Sequence, residues 1–193
     1  SVTVDGVAEN VPANADTYDY TFSNIDANHT LNVVFEPNVY VINATAEDHG
    51  TILLEGDNEV VFGGSVTFSI TADPCYNISA ILVDGEADTN FVAGVPTAEY
   101  TMSNIDSNHT VVAQFETTTY EVTVNVTGNG TADPTSGTYN CGDTVVFTFT
   151  PDNDGVEVES VVVNGNNIGS VTSYVINGIS ADYTIDVTFA DIT

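Results

Sequence analysis

The chain has no lysine and no arginine among its 193 residues, against 28 aspartates and glutamates, giving a formal charge of −28. Roughly a tenth of an ordinary chain is basic, so chance absence is on the order of one in 10¹⁰, and selection or an extreme composition is implied. Nucleic acids and anionic lipid surfaces are bound through lysine and arginine, so neither is expected as a partner. With no protein cation for ion pairs, the repulsion among acids must be relieved by salt, by loosely bound divalent cations such as calcium, or by spacing over a large surface. Trypsin-like proteases also find no site to cut.

Other absences narrow the class further. No run of about 20 apolar residues occurs, so no membrane-spanning segment is expected. No secretory leader is visible, and the first residue is Ser1, which reads as a processed form or a piece of something longer. There is no G-x-S-x-G elbow, no H-E-x-x-H and no glycine-rich phosphate loop. The common cationic stabilisers of oxyanions and phosphates are missing too, so the chain is not expected to be an enzyme.

What is present is a repeat. TYDYTFSNIDANHT at 17–30 returns as TAEYTMSNIDSNHT at 97–110, with Asn28 and Asn108 separated by 80 positions, as are Phe35 and Phe115. A third copy, TSYVINGISADYTIDVTF, ends at Phe189, 74 positions after Phe115. SVTVDG at the start matches AILVDG at 80–85 and SVVVNG at 160–165. Three units follow: residues 1–37 as the second half of a module, 38–116 as a complete module and 117–193 as another. The half module is expected to have strands near 2–4, 18–22 and 30–35. Its missing half is expected either in a preceding segment or in another subunit that adds strands to its edge, the second option predicting polymerisation.

Within a complete copy the apolar period is two, the mark of half-buried strands. Ile185, Val187 and Phe189 alternate with Thr184, Asp186 and Thr188, while Val66, Phe68 and Ile70 alternate with threonine and serine. The reading is all-β: tandem small β-sandwich or β-grasp-like modules of about six strands, near 39–46, 51–54, 65–72, 78–83, 98–103 and 109–115 in the middle copy. Turns are expected at Asp84-Gly85, Asn164-Gly165 and Asn58-Glu59.

The order of pieces, YVINATAEDHGTI, VVFGGSVTFSITADPCY, ISAILVDG, then YTMSNIDSNHTVVAQF, resembles the divergent internalin-type B-repeats of bacterial and archaeal surface proteins. The resemblance implies β-rich modules strung in tandem on large extracellular proteins, acting as spacer, stalk or assembly element. The expected role is therefore structural: part of a sheath, filament, stalk or surface layer, outside the cell, with copies of itself or neighbouring repeats of a longer chain as partners. The rival is an adhesin or ligand-binding ectodomain, which would need an exposed recognition patch, the longest loop being Glu86–Thr97 with Phe91.

The candidate site residues weigh unequally. The third copy puts Asp182-Tyr183-Thr184 where the others have Asn28-His29-Thr30 and Asn108-His109-Thr110, so the histidine is dispensable and a catalytic or metal role is not expected. Packing at a tight corner, with Asn or Asp accepting backbone donors, is the expectation. His49, in EDHG, is a lone turn histidine.

N-x-S/T sequons at Asn28, Asn43, Asn77, Asn108, Asn125 and Asn129 are candidate glycan acceptors, with Asn43 and Asn125 on outward strand faces. Cys75 and Cys141 lie at different module positions with no C-x-x-C spacing. Paired thiols are expected outside the cell, either as an intrachain staple between stacked modules or as bonds to another subunit. Acid clusters at Glu47-Asp48, Glu55-Gly56-Asp57, Asp84-Gly85-Glu86 and Asp152-Asn153-Asp154-Gly155 lack the ligand spacing of a calcium loop, so no specific metal site is expected.

Overall fold

The computed structural model describes residues 1–12 and 15–192, and all regular structure in them is β-strand. The chain first forms β1 (Val2–Val4), β2 (Val7–Ala8) and β3 (Leu31–Val33), paired antiparallel in the order β2-β1-β3. Eight strands follow: β4 (Val39–Ala46), β5 (Gly50–Ile52), β6 (Gly56–Val61), β7 (Ser65–Ala72), β8 (Tyr76–Val83), β9 (Glu86–Ala87), β10 (Thr97–Ser103) and β11 (His109–Thr117). They make a five-stranded sheet, β6-β4-β11-β8-β9, and a three-stranded sheet, β10-β7-β5.

The pattern then recurs. The last strands are β12 (Thr119–Thr127), β13 (Gly130–Asp133), β14 (Gly137–Asn140), β15 (Val145–Pro151), β16 (Val156–Val163), β17 (Asn166–Gly169), β18 (Ser173–Ile176) and β19 (Tyr183–Asp191). Their sheets are β14-β12-β19-β16-β17 and β13-β15-β18, the same order position for position. In both sets the first and last strands sit side by side in parallel, β4 with β11 and β12 with β19, while the other pairs are antiparallel. Parallel neighbours need a long connection, which the intervening strands supply.

Alternation decides which faces meet. Phe68 and Ile70 from β7 are buried with Ile42, Ala44, Ile78, Ile81, Val111 and Ala113 of the large sheet. In the last set Phe147 and Phe149 meet Val122, Val161, Ile185, Val187 and Phe189. Fully burying one such phenylalanine contributes about 1.5–3 kcal/mol. The outward residues between them are the threonines, serines and acids that carry the charge.

The structure adds strands to the sequence reading and moves one turn. No turn occurs at Asn58-Glu59; both lie in β6, and the chain reverses earlier, where Leu54 and Gly56 have φ of 68° and 95°. The reason is local: Asn58 points inward and its amide donates to the carbonyl oxygens of Leu54 and Gly56, at 2.7 and 3.0 Å, so a turn-forming side chain serves the preceding turn from within a strand. The segment expected as strand 51–54 ends at Ile52 for the same reason.

The expected strand at 18–22 does not form. Its counterpart β10 is held by pairing with β7 from Thr97 to Ser103, and the described residues of 1–37 contain no strand equivalent to β7. β1 and β3 nevertheless pair in the register of β8 and β11: Val4 faces Leu31 as Val83 faces Val111, and Val2 faces Val33 as Ile81 faces Ala113. Without a covering sheet, Phe35 is 84% exposed, whereas Phe189, its counterpart, is 4% exposed.

Candidate functional site

The repeated SNI–NHT corner is a structural latch built from three parts. Ile105 is buried, and its backbone exchanges hydrogen bonds with the β6–β7 turn, Gly63 N–H to Ile105 oxygen at 2.7 Å and Ile105 N–H to Gly64 oxygen at 3.2 Å. Ile179 repeats this with Gly142 and Asp143, at 2.8 and 2.9 Å. Asn108 then accepts the N–H of Val41 in β4 at 2.9 Å, and Asp182 accepts that of Glu121 in β12 at 2.8 Å. Ile25, which has no such turn beside it, is 67% exposed.

The histidines belong to the same latch. His109 Nδ1 lies 2.7 Å from Asp84 Oδ2, while Asp84 Oδ1 accepts the N–H of Thr110 at 2.8 Å. His29, Asp5 and Thr30 reproduce this with the same distances. The aspartate comes from the Asp-Gly hairpin turn, where Asp84 and Gly85 both have positive φ, 53° and 85°, as two-residue hairpins with the right twist require. In the third copy Asn164 occupies the turn and still accepts the N–H of Thr184 at 2.8 Å, while Tyr183 stands in for the histidine. Acceptance of the threonine N–H is the constant function, and the histidine contact is an addition to it.

The hydrogen bond from His109, followed by that from the Thr110 backbone, holds the Asp84 carboxyl below its ordinary pKa; His29 and Thr30 do the same for Asp5. Asp88 is lowered by the backbone N–H of Asn90 and the hydroxyl of Tyr100. Burial, aided by that contact with Asp88 at 2.8 Å, pushes the Tyr100 phenol up to about 12. His49 stacks on Tyr76, ring centroids 4.0 Å apart, and serves packing. Among the described residues no three His, Cys, Asp or Glu side chains are grouped to hold a metal ion.

The junction between the two complete sets is the most specific feature. Only Thr118 separates β11 from β12. Its N–H donates to the carbonyl oxygen of Cys75, and its own carbonyl oxygen accepts the N–H of Cys141, both at 2.8 Å. Cys75 and Cys141 are joined by a disulfide with Cα atoms 5.3 Å apart, so the staple is intrachain and straddles the linker. Cys75 lies between β7 and β8, and Cys141 between β14 and β15, which are opposite turns of successive modules. Phe62 occupies in the middle copy the place that Cys141 has in the last, and its N–H likewise donates to Asn38, the counterpart of Thr118, at 2.8 Å.

A second repeated pairing is less visible in the sequence. A Cβ at Gly50 would overlap the Phe115 ring, and one at Gly130 would overlap the Phe189 ring. The last strand thus lays its phenylalanine over a glycine of the second. The pairs Gly-Thr in HGTI and NGTA, with Phe at the end of each copy, are the only trace of it in the chain.

The sequon asparagines divide by what their amides do. Asn43 and Asn125 point outward, but their side-chain nitrogens donate to Asp57 and Asp186 at 2.6 and 2.8 Å. Asn28, Asn108 and Asn129 are exposed and Asn77 is half-buried. Phe91, in the loop that a recognition surface would use, is half-buried against the middle core, leaving Val92 exposed at its tip. A concavity of about 450 Å³ lies over Val2, Tyr18, Tyr20, Leu31, Val33 and Phe35, where the complete modules carry their second sheet.

A family model described as a divergent InlB B-repeat domain matches residues 40–119 and again residues 120–192. No curated protein and no solved structure matches the chain.

Proposed function

Because the chain belongs to the divergent InlB B-repeat family, whose members are surface-associated repeat modules, we propose that it is a non-catalytic structural part of an extracellular assembly. The observation that carries this reading is the junction: one residue, bonded on both sides and straddled by a disulfide, joins two modules that otherwise keep separate cores. A recognition domain needs a displayed surface. A spacer needs a fixed join and little else, and the chemistry here is spent on the join.

The units are residues 1–37, 38–116 and 117–193, the first being completed by strands of the β4–β7 kind when the array is assembled. Partners are copies of the chain or neighbouring repeats. Divalent cations such as calcium gather loosely around the acids and relieve their repulsion. Of the six sequons, Asn28, Asn108 and Asn129 are the preferred acceptors, because they are exposed and their amide nitrogens are not engaged by carboxylates.

Immunogold electron microscopy of native cells tests the reading. Label along an extended or layered structure outside the envelope supports it, and label confined to the cell interior overturns it. Mass spectrometry of non-tryptic peptides from the same material would refute the glycan assignment by showing every sequon unmodified.

A further inference from the structure

Within each complete repeat the entering and leaving strands are neighbours. β4 and β11 are paired in parallel from Ile42–His109 to Ala46–Ala113, and β12 and β19 from Val122–Tyr183 to Thr127–Thr188. The chain enters a repeat at the start of the first strand and leaves it at the end of the last. For parallel neighbours these two points lie at opposite ends of the ladder. Tension along the chain therefore slides one strand along the other, loading all the hydrogen bonds between them at once.

The antiparallel pairs show the alternative. Val156 at the start of β16 faces Asp191 at the end of β19, so a pull applied at those two points would open that ladder one pair at a time. The chain's own connectivity avoids this geometry in both repeats. Further pairing locks the central strands against slipping: β11 is held by β8 from Val111 to Thr117, and β4 by β6 from Val39 to Ala44.

The disulfide adds a second element to the load path. Should β4 slip from β11, tension passes along residues 39–75, crosses from Cys75 to Cys141 and continues to the end of β19. Residues 76–140 lie between the two bonded sulfurs and stay slack. We propose that each folded repeat is a tension-bearing clamp loaded in shear through its central parallel pair, and that once a pair has slipped the Cys75–Cys141 bond keeps residues 76–140 from being drawn out. The clamp is a property of the fold, and only its use on a cell surface rests on the structural reading above.

Single-molecule force spectroscopy on the full chain tests this, with handles at the two termini, and compares it with a handle inserted between Asp154 and Gly155 paired with one at the C-terminus. At the same loading rate, the end-to-end pull is expected to need about two-fold more force or higher, since shear breaks the ladder together and the second geometry breaks it pair by pair. Fully extended, the oxidised chain is expected to be shorter by about 220–230 Å than the chain reduced with dithiothreitol, whose own thiols take up the oxidation; this follows from 66 residue steps at ~3.5 Å. Equal forces in the two geometries overturn the clamp, and equal final lengths overturn the bypass. Because neither readout involves location, a chain found inside the cell would sink the functional reading while leaving these results intact.

Discussion

Cys75 and Cys141 close over a single residue, each bonded through its backbone to one side of Thr118 at 2.8 Å and to the other through its sulfur. The backbone contacts and the covalent bond hold the same geometry by different means, and removing one leaves the other in place. Replacing both cysteines by serine is therefore expected to preserve the fold. Opening a cross-link with a sequence separation of 66 should cost about 2–4 kcal/mol, mostly by freeing the unfolded chain. Urea denaturation checks this: the midpoint falls and the slope rises as the unfolded state expands.

Phe35 and Phe189 hold equivalent positions in their repeats, yet one is exposed and the other buried. Phe189→Ala should cost about 3–5 kcal/mol, the range for truncating a buried phenylalanine. Phe35→Ala should lie within about 0.5 kcal/mol of the parent, as surface substitutions do. Comparable losses in thermal denaturation would show that residues 1–37 are covered in solution.

Asp84 titrates below its usual value because His109 and Thr110 bond its charged form. A depressed carboxyl pKa contributes stability that is present above its unfolded value, about 3.9, and is lost as pH falls through the lower folded value. Asp84→Asn keeps an acceptor for Thr110, as Asn164 does for Thr184, but carries no charge to lose. Melting temperature measured between pH 2 and 6 should fall less steeply for this variant. An unchanged acid slope would remove the aspartate from the latch's pH response.

The phenol of Tyr100 works in the opposite sense. Its folded pKa is raised to about 12, so the contribution it makes is complete below about pH 10 and is lost as pH rises through about 12. Absorbance titration at alkaline pH should lose its latest tyrosine transition in Tyr100→Phe.

The acids find no lysine or arginine within the chain, so millimolar calcium and magnesium should raise the melting temperature to similar extents, and more than sodium at matched ionic strength. Calorimetry with each salt distinguishes this from a specific site, which would prefer calcium.

The sequence carries the strands whose alternation is buried on one side. SVTFSIT and TIDVTF read as core strands because each second residue is apolar, and β7 and β19 lie where that pattern places them. GDNEVV does not read this way: β6 is an edge strand with one buried apolar residue, Val60, and its inward Asn58 resembles a turn residue. The histidine's partner is harder still, since Asp84 lies 25 positions upstream in another turn. A trace exists in the repeat itself, where Asp accompanies His in the first two copies and Asn accompanies Tyr in the third. The choice between an intrachain and an intermolecular disulfide depends on how modules stack, which alternation within a strand does not encode.

Thr118 has a geometric consequence for a longer array. With no other residue between β11 and β12 and both of its backbone groups bonded, the rotation and translation from one repeat to the next amount to one defined step. The stretch from Phe35 to Val39 has the same length as that from Phe115 to Thr119. Where every join repeats the step at Thr118, the modules trace a superhelix, whose pitch and handedness are written in the torsions of the one linking residue at each join.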